Sequence, residues 1–228
     1  MRSLLAVLLF LLLLTVPAHA VLPNAELKVF AVAPDGTALA AELQLKLATG
    51  SGKVWSSGSG PLVGTATQST EKIAVKVAQN YFPDAKKYDY FFSIESDASV
   101  VDGPSAGSAM ALLVVSALQE KPLPKYVALT GTITNTGQVG PVGGVFEKAK
   151  EASKNGIKLF MIPRGESRQV VKFPDGVRNV NLSEYALDEW GMKVIETRNM
   201  DDVLKYAFTD IGTIDTNQTS ETEIPTFI

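Results

Sequence analysis

Apolar and polar residues alternate at the start of the patterned part of the chain. Glu26-Leu27-Lys28-Val29-Phe30-Ala31-Val32 reads as a strand, Pro34-Asp35-Gly36 as a turn and Glu42-Leu43-Gln44-Leu45-Lys46-Leu47 as a second strand. Period-two alternation of this kind predicts a half-buried hairpin or meander. Residues 50–64, rich in Gly and Ser around Val54-Trp55, read as a mobile surface loop between strands.

The period then changes to that of a helix. Ser69 or Thr70 is placed to cap a helix through about Tyr81, with Ile73, Ala74, Val77 and Ala78 on one face and Pro83-Asp84 ending it. Tyr90 to Ile94 reads as a strand. From Ser105 to about Leu118 the residues are almost wholly apolar, which predicts a central buried helix. Pro122 and Pro124 close it. Tyr126 to Leu129 is a buried strand, and glycine turns follow at Gly137, Gly140 and Gly143-Gly144. Val145 to Asn155 is an amphipathic helix stopped by Gly156 at the C′ position. Lys158 to Ile162 and Met192 to Glu196 read as strands, and Asp201 caps a last helix to Phe208. Mixed elements without a steady βαβ rhythm predict a single α+β domain with a mixed sheet and packed helices.

Four segments follow from this reading. Residues 1–20 have the form of a signal peptide: the basic start Met1-Arg2-Ser3, the apolar run Leu4 to Val16 and the small-residue site Ala18-His19-Ala20. The run is shorter than the roughly 20 residues of a spanning helix, so export with cleavage is expected ahead of retention as a membrane tether. Residues 21–66 hold the first strands and the Gly/Ser-rich loop, residues 67–208 the main domain, and the polar tail 209–228 is expected to be disordered or a linker.

Composition narrows the chemistry. The chain has no cysteine and one histidine, His19, which falls in the leader. Ser-His-Asp triads, Cys-His dyads and zinc held by His or Cys are therefore excluded for the rest of the chain. Formal net charge is −3, and the leader carries Arg2 and no acid, so the remainder is more acidic and has no nucleic-acid footprint. No G-x-x-x-x-G-K-[ST] loop occurs, so no nucleotide and no cofactor is expected.

Two residues stand out against this background. Gly103-Pro104-Ser105 lies where a loop turns into the buried helix, which places the Ser105 hydroxyl near the positive end of a helix dipole. Read alone, such a serine is a cap. Lys148 lines up with Val145, Ala149 and Ala152 on the apolar face of its helix, opposite Glu147, Lys150, Glu151 and Lys154. An inward lysine loses charge by desolvation and then serves as a base for a serine hydroxyl; the alternative is a snorkelling lysine whose stem covers the core edge.

Asp102-Gly103-Pro104-Ser105-Ala106-Gly107, then Leu129 to Thr134, then Gly137 to Lys148 resembles the proteolytic domain of Lon proteases, from about Ser69 to Phe208. The resemblance implies a Ser-Lys dyad with Ser105 as nucleophile and Lys148 as general base and acid. It also implies Thr130 as the partner that orients the lysine, Asp102 and Gly103 as residues shaping the loop, and the Ser105 N–H as an oxyanion donor. Polypeptide substrates would pair with a strand edge, for which residues 94–101 are the expected segment. The resemblance further implies a homo-oligomeric ring and no metal. Phe91 and Ser93 stand where bacterial members carry histidines, and Thr132 where an acid follows Thr-Gly. Without a motor, an exported ATP-independent serine endopeptidase acting on unfolded or flexible chains is expected.

A binding or assembly module that keeps the fold without turnover is the reading from another class. Ser69-Thr70-Glu71-Lys72 matches S-x-x-K but has no S-D-N or K-T-G partner. Asn181-Leu182-Ser183 and Asn217-Gln218-Thr219 are sequons of low specificity.

Overall fold

The alternation in residues 24–49 folds as an antiparallel pair, β1 (Asn24–Val32) against β2 (Ala38–Thr49), with Leu27 opposite Leu43. The structure, a computed structural model, describes residues 24–214; the leader and the tail from 215, including the second sequon, lie outside the described residues. Two further strands, β3 (Val54–Ser59) and β5 (Tyr88–Glu95), complete a four-stranded sheet in the order β1-β2-β5-β3. Leu43, Leu45 and Leu47 of β2 and Tyr90, Phe92 and Ile94 of β5 are buried on one face, while Lys46, Phe91 and Glu95 lie exposed on the other.

The buried face packs on two helices. α1 (Thr65–Ala78) contributes Ala74, Val75, Val77 and Ala78, and α2 (Gly107–Leu118) is buried at every position from Gly107 to Ala117. This is the expected central helix. Its all-round apolarity is satisfied because sheet, α1 and the last helix α5 (Met200–Ala207) surround it. A second layer is a parallel sheet ordered β13-β10-β7, built from β7 (Val127–Leu129), β10 (Leu159–Pro163) and β13 (Lys193–Thr197). Between β7 and β10 runs α3 (Val145–Lys154), whose Val145, Phe146, Ala149 and Ala152 pack with Phe30 and Phe160. The α+β class holds.

Several expectations need correction. The Gly/Ser-rich segment is largely strand: β3 runs parallel to β5, pairing Val54 with Tyr90 through to Ser59 with Glu95. An edge strand needs backbone hydrogen bonds and few apolar side chains, so composition alone misread it. As a result Ile94 and Glu95 are paired on both sides and are no free edge. α1 starts at Thr65, and Ser69 and Thr70 sit inside it, donating back to the Thr65 and Ala66 carbonyls at 2.8 and 2.8 Å. α5 is capped by Asn199, whose Oδ1 accepts from the Asp202 N–H at 3.0 Å, while Asp201 accepts from the Tyr81 hydroxyl at 2.7 Å. The segment after β10 adds a hairpin, β11 (Arg168–Phe173) with β12 (Gly176–Asn181), and α4 (Leu182–Trp190). Asn181 of the first sequon is the α4 N-cap, accepting from the Ser183 N–H at 3.2 Å. The beginning of the tail is ordered too: Lys193 Nζ donates to the Ile211 and Ile214 carbonyls at 2.9 and 2.7 Å.

One buried acid marks the contact between α1 and β3. Glu71 is 1% exposed; its Oε1 accepts from Ser56 Oγ at 2.9 Å, and its Oε2 has no partner. No charged residue occurs in β3, in α2 or in β8 (Thr132–Ile133), the elements packed on α1. Burial pushes its pKa up from 4.5 to about 7. The unfolded chain therefore loses this proton first. Stability falls as pH rises from about 4.5 to about 7 and is level above that, by roughly 2–3 kcal/mol from this group. Glu71→Gln should remove that slope and raise the thermal midpoint at pH 8, as read by calorimetry at pH 5 and 8.

Candidate active site

Ser105 sits in the turn that enters α2, one residue before the N-cap Ala106, so the helix starts two residues later than the sequence implied. The Gly107 N–H closes this turn on the Pro104 carbonyl at 3.0 Å. Proline before the serine favours the tight entry, and the small residues after it let the helix approach the strand beyond β7. That strand end grips the turn. The Ser105 carbonyl accepts from the Gly131 N–H at 2.9 Å and from Thr130 Oγ1 at 3.2 Å, and the Gly131 carbonyl accepts from the Ser108 N–H and hydroxyl at 3.0 and 3.2 Å. No hydrogen bond within the described residues engages the Ser105 N–H, which leaves it for an incoming oxygen.

Lys148 enters from α3. Its helix starts at Gly144, whose φ of 65° is left-handed and whose added Cβ would stand 2.7 Å from Val32 Cγ2. Glycine is required there on both counts. The lysine is one turn on, its N–H bonded to the Gly144 carbonyl at 2.9 Å and its side chain 3% exposed. Nζ donates to Thr130 Oγ1 at 3.3 Å. The head group thus stays inside, in contrast to a snorkelling lysine, and burial brings its pKa down from 10.5 to about 8.

Thr130 is therefore the meeting point. It accepts from Lys148 Nζ and donates to the Ser105 carbonyl, linking the lysine and the Ser105 turn through one hydroxyl. No hydrogen bond joins Ser105 Oγ directly to Lys148 Nζ. A neutral amine that donates to Thr130 keeps its lone pair free to accept a proton.

Asp102 and Gly103 are placed differently from the dyad. Asp102 Oδ1 accepts from the Ala66 and Thr67 N–H groups at 2.9 and 3.2 Å, capping α1 from a distant loop. α1 has no cap of its own, and a Cβ on Gly64 would fall 2.2 Å from Asp102 Cγ, so the site of the cap is kept open. The Gly103 N–H donates to Thr67 Oγ1 at 3.1 Å. Ahead of this staple, β4 (Leu62–Val63) and β6 (Val100–Val101) pair in parallel and feed α1 and the nucleophile loop. Thr67 and Ser108 were not singled out in the sequence. Their roles arise between segments far apart in the chain, and no local signal marks them.

The domain is of a proteolytic class. The family described as the Lon protease (S16) C-terminal proteolytic domain matches residues 46–210, and the chain belongs to it. Lon protease of Elusimicrobium minutum is 34% identical over 125 residues, 55% of this chain and 14% of that protein. Lon protease of Vibrio parahaemolyticus is 37% identical over 122 residues, 54% of this chain and 14% of that protein. The match thus spans about a seventh of the length of these curated relatives.

If Asp102 works as the α1 cap, Asp102→Ala lowers stability by about 1 kcal/mol, whereas Asp102→Asn, which keeps the acceptor, costs a few tenths. Denaturant unfolding of the two variants beside wild type measures the difference.

Proposed function

We propose that this chain is an ATP-independent serine endopeptidase that hydrolyses peptide bonds of unfolded or flexible polypeptides through a Ser105–Lys148 dyad. The observation that carries this reading is the buried Lys148 amine, held by the same threonine that grips the carbonyl of Ser105. An amine with a pKa near 8 is neutral often enough near neutral pH to act as a base, which an exposed lysine is not.

In the first step Ser105 Oγ attacks the scissile carbonyl as its proton passes to Lys148 Nζ. This requires the serine side chain to turn toward the amine when substrate binds; catalytic hydrogen bonds commonly tighten only in the complex. Negative charge on the substrate oxygen meets the Ser105 N–H before the start of α2, where the helix dipole favours it. Collapse breaks the C–N bond, and the lysine ammonium gives its proton to the leaving amine. Water then attacks the acyl ester, losing a proton to Lys148, which returns it to Ser105 as the new carboxyl group leaves. Asp102, Gly103 and Thr67 position the loop without touching the reacting atoms.

Export through the leader and assembly into a homo-oligomeric ring belong to the same proposal. They rest on the sequence of residues 1–20 and on family resemblance.

Hydrolysis of an unfolded, fluorescently labelled protein without ATP tests the reading. Wild type should cut, and Ser105→Ala and Lys148→Ala should each lose at least about a thousandfold. Equal cutting by all three would sink the dyad, and no cutting by any would favour a binding module.

The pH profile provides a separate check. Because the base must be neutral, kcat/KM should rise with pH through about 8 and level above it. Chelators and nucleotide should leave the rate unchanged; a profile flat from acid to alkali would contradict a lysine base.

A further inference from the structure

The first turn of α3 leans on a residue that stands ahead of the matched family segment. Val32 is the last residue of β1, and the family match begins at residue 46. Its side chain occupies the space that Gly144 leaves open. A Cβ on Gly144 would stand 2.7 Å from Val32 Cγ2, 3.2 Å from Val32 Cβ and 3.6 Å from Val32 Cγ1. The Gly144 carbonyl in turn accepts from the Lys148 N–H at 2.9 Å. Val32, Gly144 and Lys148 thus form a run of contacts that leads to the amine.

The direction of the lysine makes that helix start matter. Residues i and i+4 of a helix lie one above the other, and long side chains run back toward the N-terminus. The Lys148 stem therefore runs over the turn that holds Gly144, and its nitrogen reaches Thr130 Oγ1 at 3.3 Å. That bond is already long, so a small shift of the turn breaks it. The hairpin meets the helix start with apolar groups. Val32 lies opposite Ala38 and Phe30 opposite Ala40. The first charged pair on that face, Lys28 with Glu42, is roughly 13 Å back along the strand from Val32. Of the other elements packed on α3, β10 has no titratable residue. Glu184, Asp188 and Glu189 of α4 and Arg168 and Lys172 of β11 are exposed, and Tyr185 sets its ring against Phe146. Burial alone moves the lysine pKa down. Val32 itself is half-buried and Pro34, Asp35 and Gly36 beyond it are exposed, so water stands just past the valine.

We propose that Val32 is a positioning residue for Lys148: seated on Gly144, it fixes the first turn of α3 and so holds the amine against Thr130 and out of water. Its consequence for catalysis rests on the dyad reading; its effect on the amine does not.

Full-length chain is grown with lysine isotope-labelled at Cε, and the Lys148 resonance, identified by its loss in Lys148→Arg, is followed against pH by NMR. The wild-type midpoint should lie at about 8. Val32→Ala should raise it to about 9, which cuts the neutral fraction at pH 7 about tenfold. At that pH kcat/KM on an unfolded substrate should fall by the same factor, through kcat with KM unchanged. Val32→Ile keeps the branched side chain and should leave both at the wild-type values. Val29→Ala, on the opposite face of β1 and packed into the main core, should move neither. A midpoint that Val32→Ala leaves in place would overturn the proposal, as would equal shifts in Val32→Ala and Val29→Ala. A wild-type midpoint at the ordinary lysine value would overturn it together with the dyad reading. A midpoint shifted as expected in chains that cut nothing would keep Val32 in its role and remove the dyad reading alone. Should Val32→Ala fail to fold, Val32→Thr, of nearly the same shape, sets a hydroxyl on Gly144 and is judged by the same rise.

Discussion

The site depends on taking one amine out of water. Lys148 is buried to its nitrogen, and the only hydrogen bond its head group makes among the described residues is to Thr130. Desolvation favours the neutral form of a lysine, whereas a carboxylate beside it would favour the ammonium and cancel the effect. Asp102, the acid nearest Ser105 in sequence, is turned to the α1 N-terminus instead. A carboxylate that beside Lys148 would hold it charged supplies a cap to a helix that lacks one.

Three parts of the fold build the lysine's seat. α3 offers it from the apolar face, the segment after β7 supplies Thr130, and the β1–β2 pair packs on α3 itself through Phe30 and Val32. The approach of Val32 to Gly144 fixes where α3 begins, and so where its second turn delivers the amine. Glu71 shows the opposite use of burial. Its carboxyl, enclosed with desolvation outweighing the Ser56 hydrogen bond and the Lys72 charge, prefers to keep its proton. Two titratable groups moved toward neutrality by the same physics thus lie in one small domain.

Features that one segment dictates were legible in the sequence. α2 was readable because every position is apolar, α3 because Lys148 interrupts an otherwise apolar stripe, and β1 and β2 because alternation needs no partner to be seen. Thr130 and Lys148 lie in the segments that carry the family resemblance, and the structure joins them by one hydrogen bond. What escaped was set by contacts between segments. β3 is a strand because β5 lies beside it, although its Ser-Ser-Gly-Ser stretch reads as loop. α1 begins at Thr65 because a carboxylate 36 residues away caps it. The β11–β12 hairpin has a turn signal in Pro174-Asp175-Gly176, but its strands pair mostly exposed residues and carry little apolar alternation.

The lowered pKa of Lys148 belongs to the folded domain and to no part of it. In an extended or half-folded chain that side chain is hydrated, charged and chemically idle at neutral pH. The elements α3 and β10 come after Ser105 in the chain. A newly made molecule therefore carries Ser105 well before it carries a neutral amine at Lys148, and a damaged one regains the charge as soon as water reaches it. Folding thus makes the amine neutral, and unfolding restores its charge.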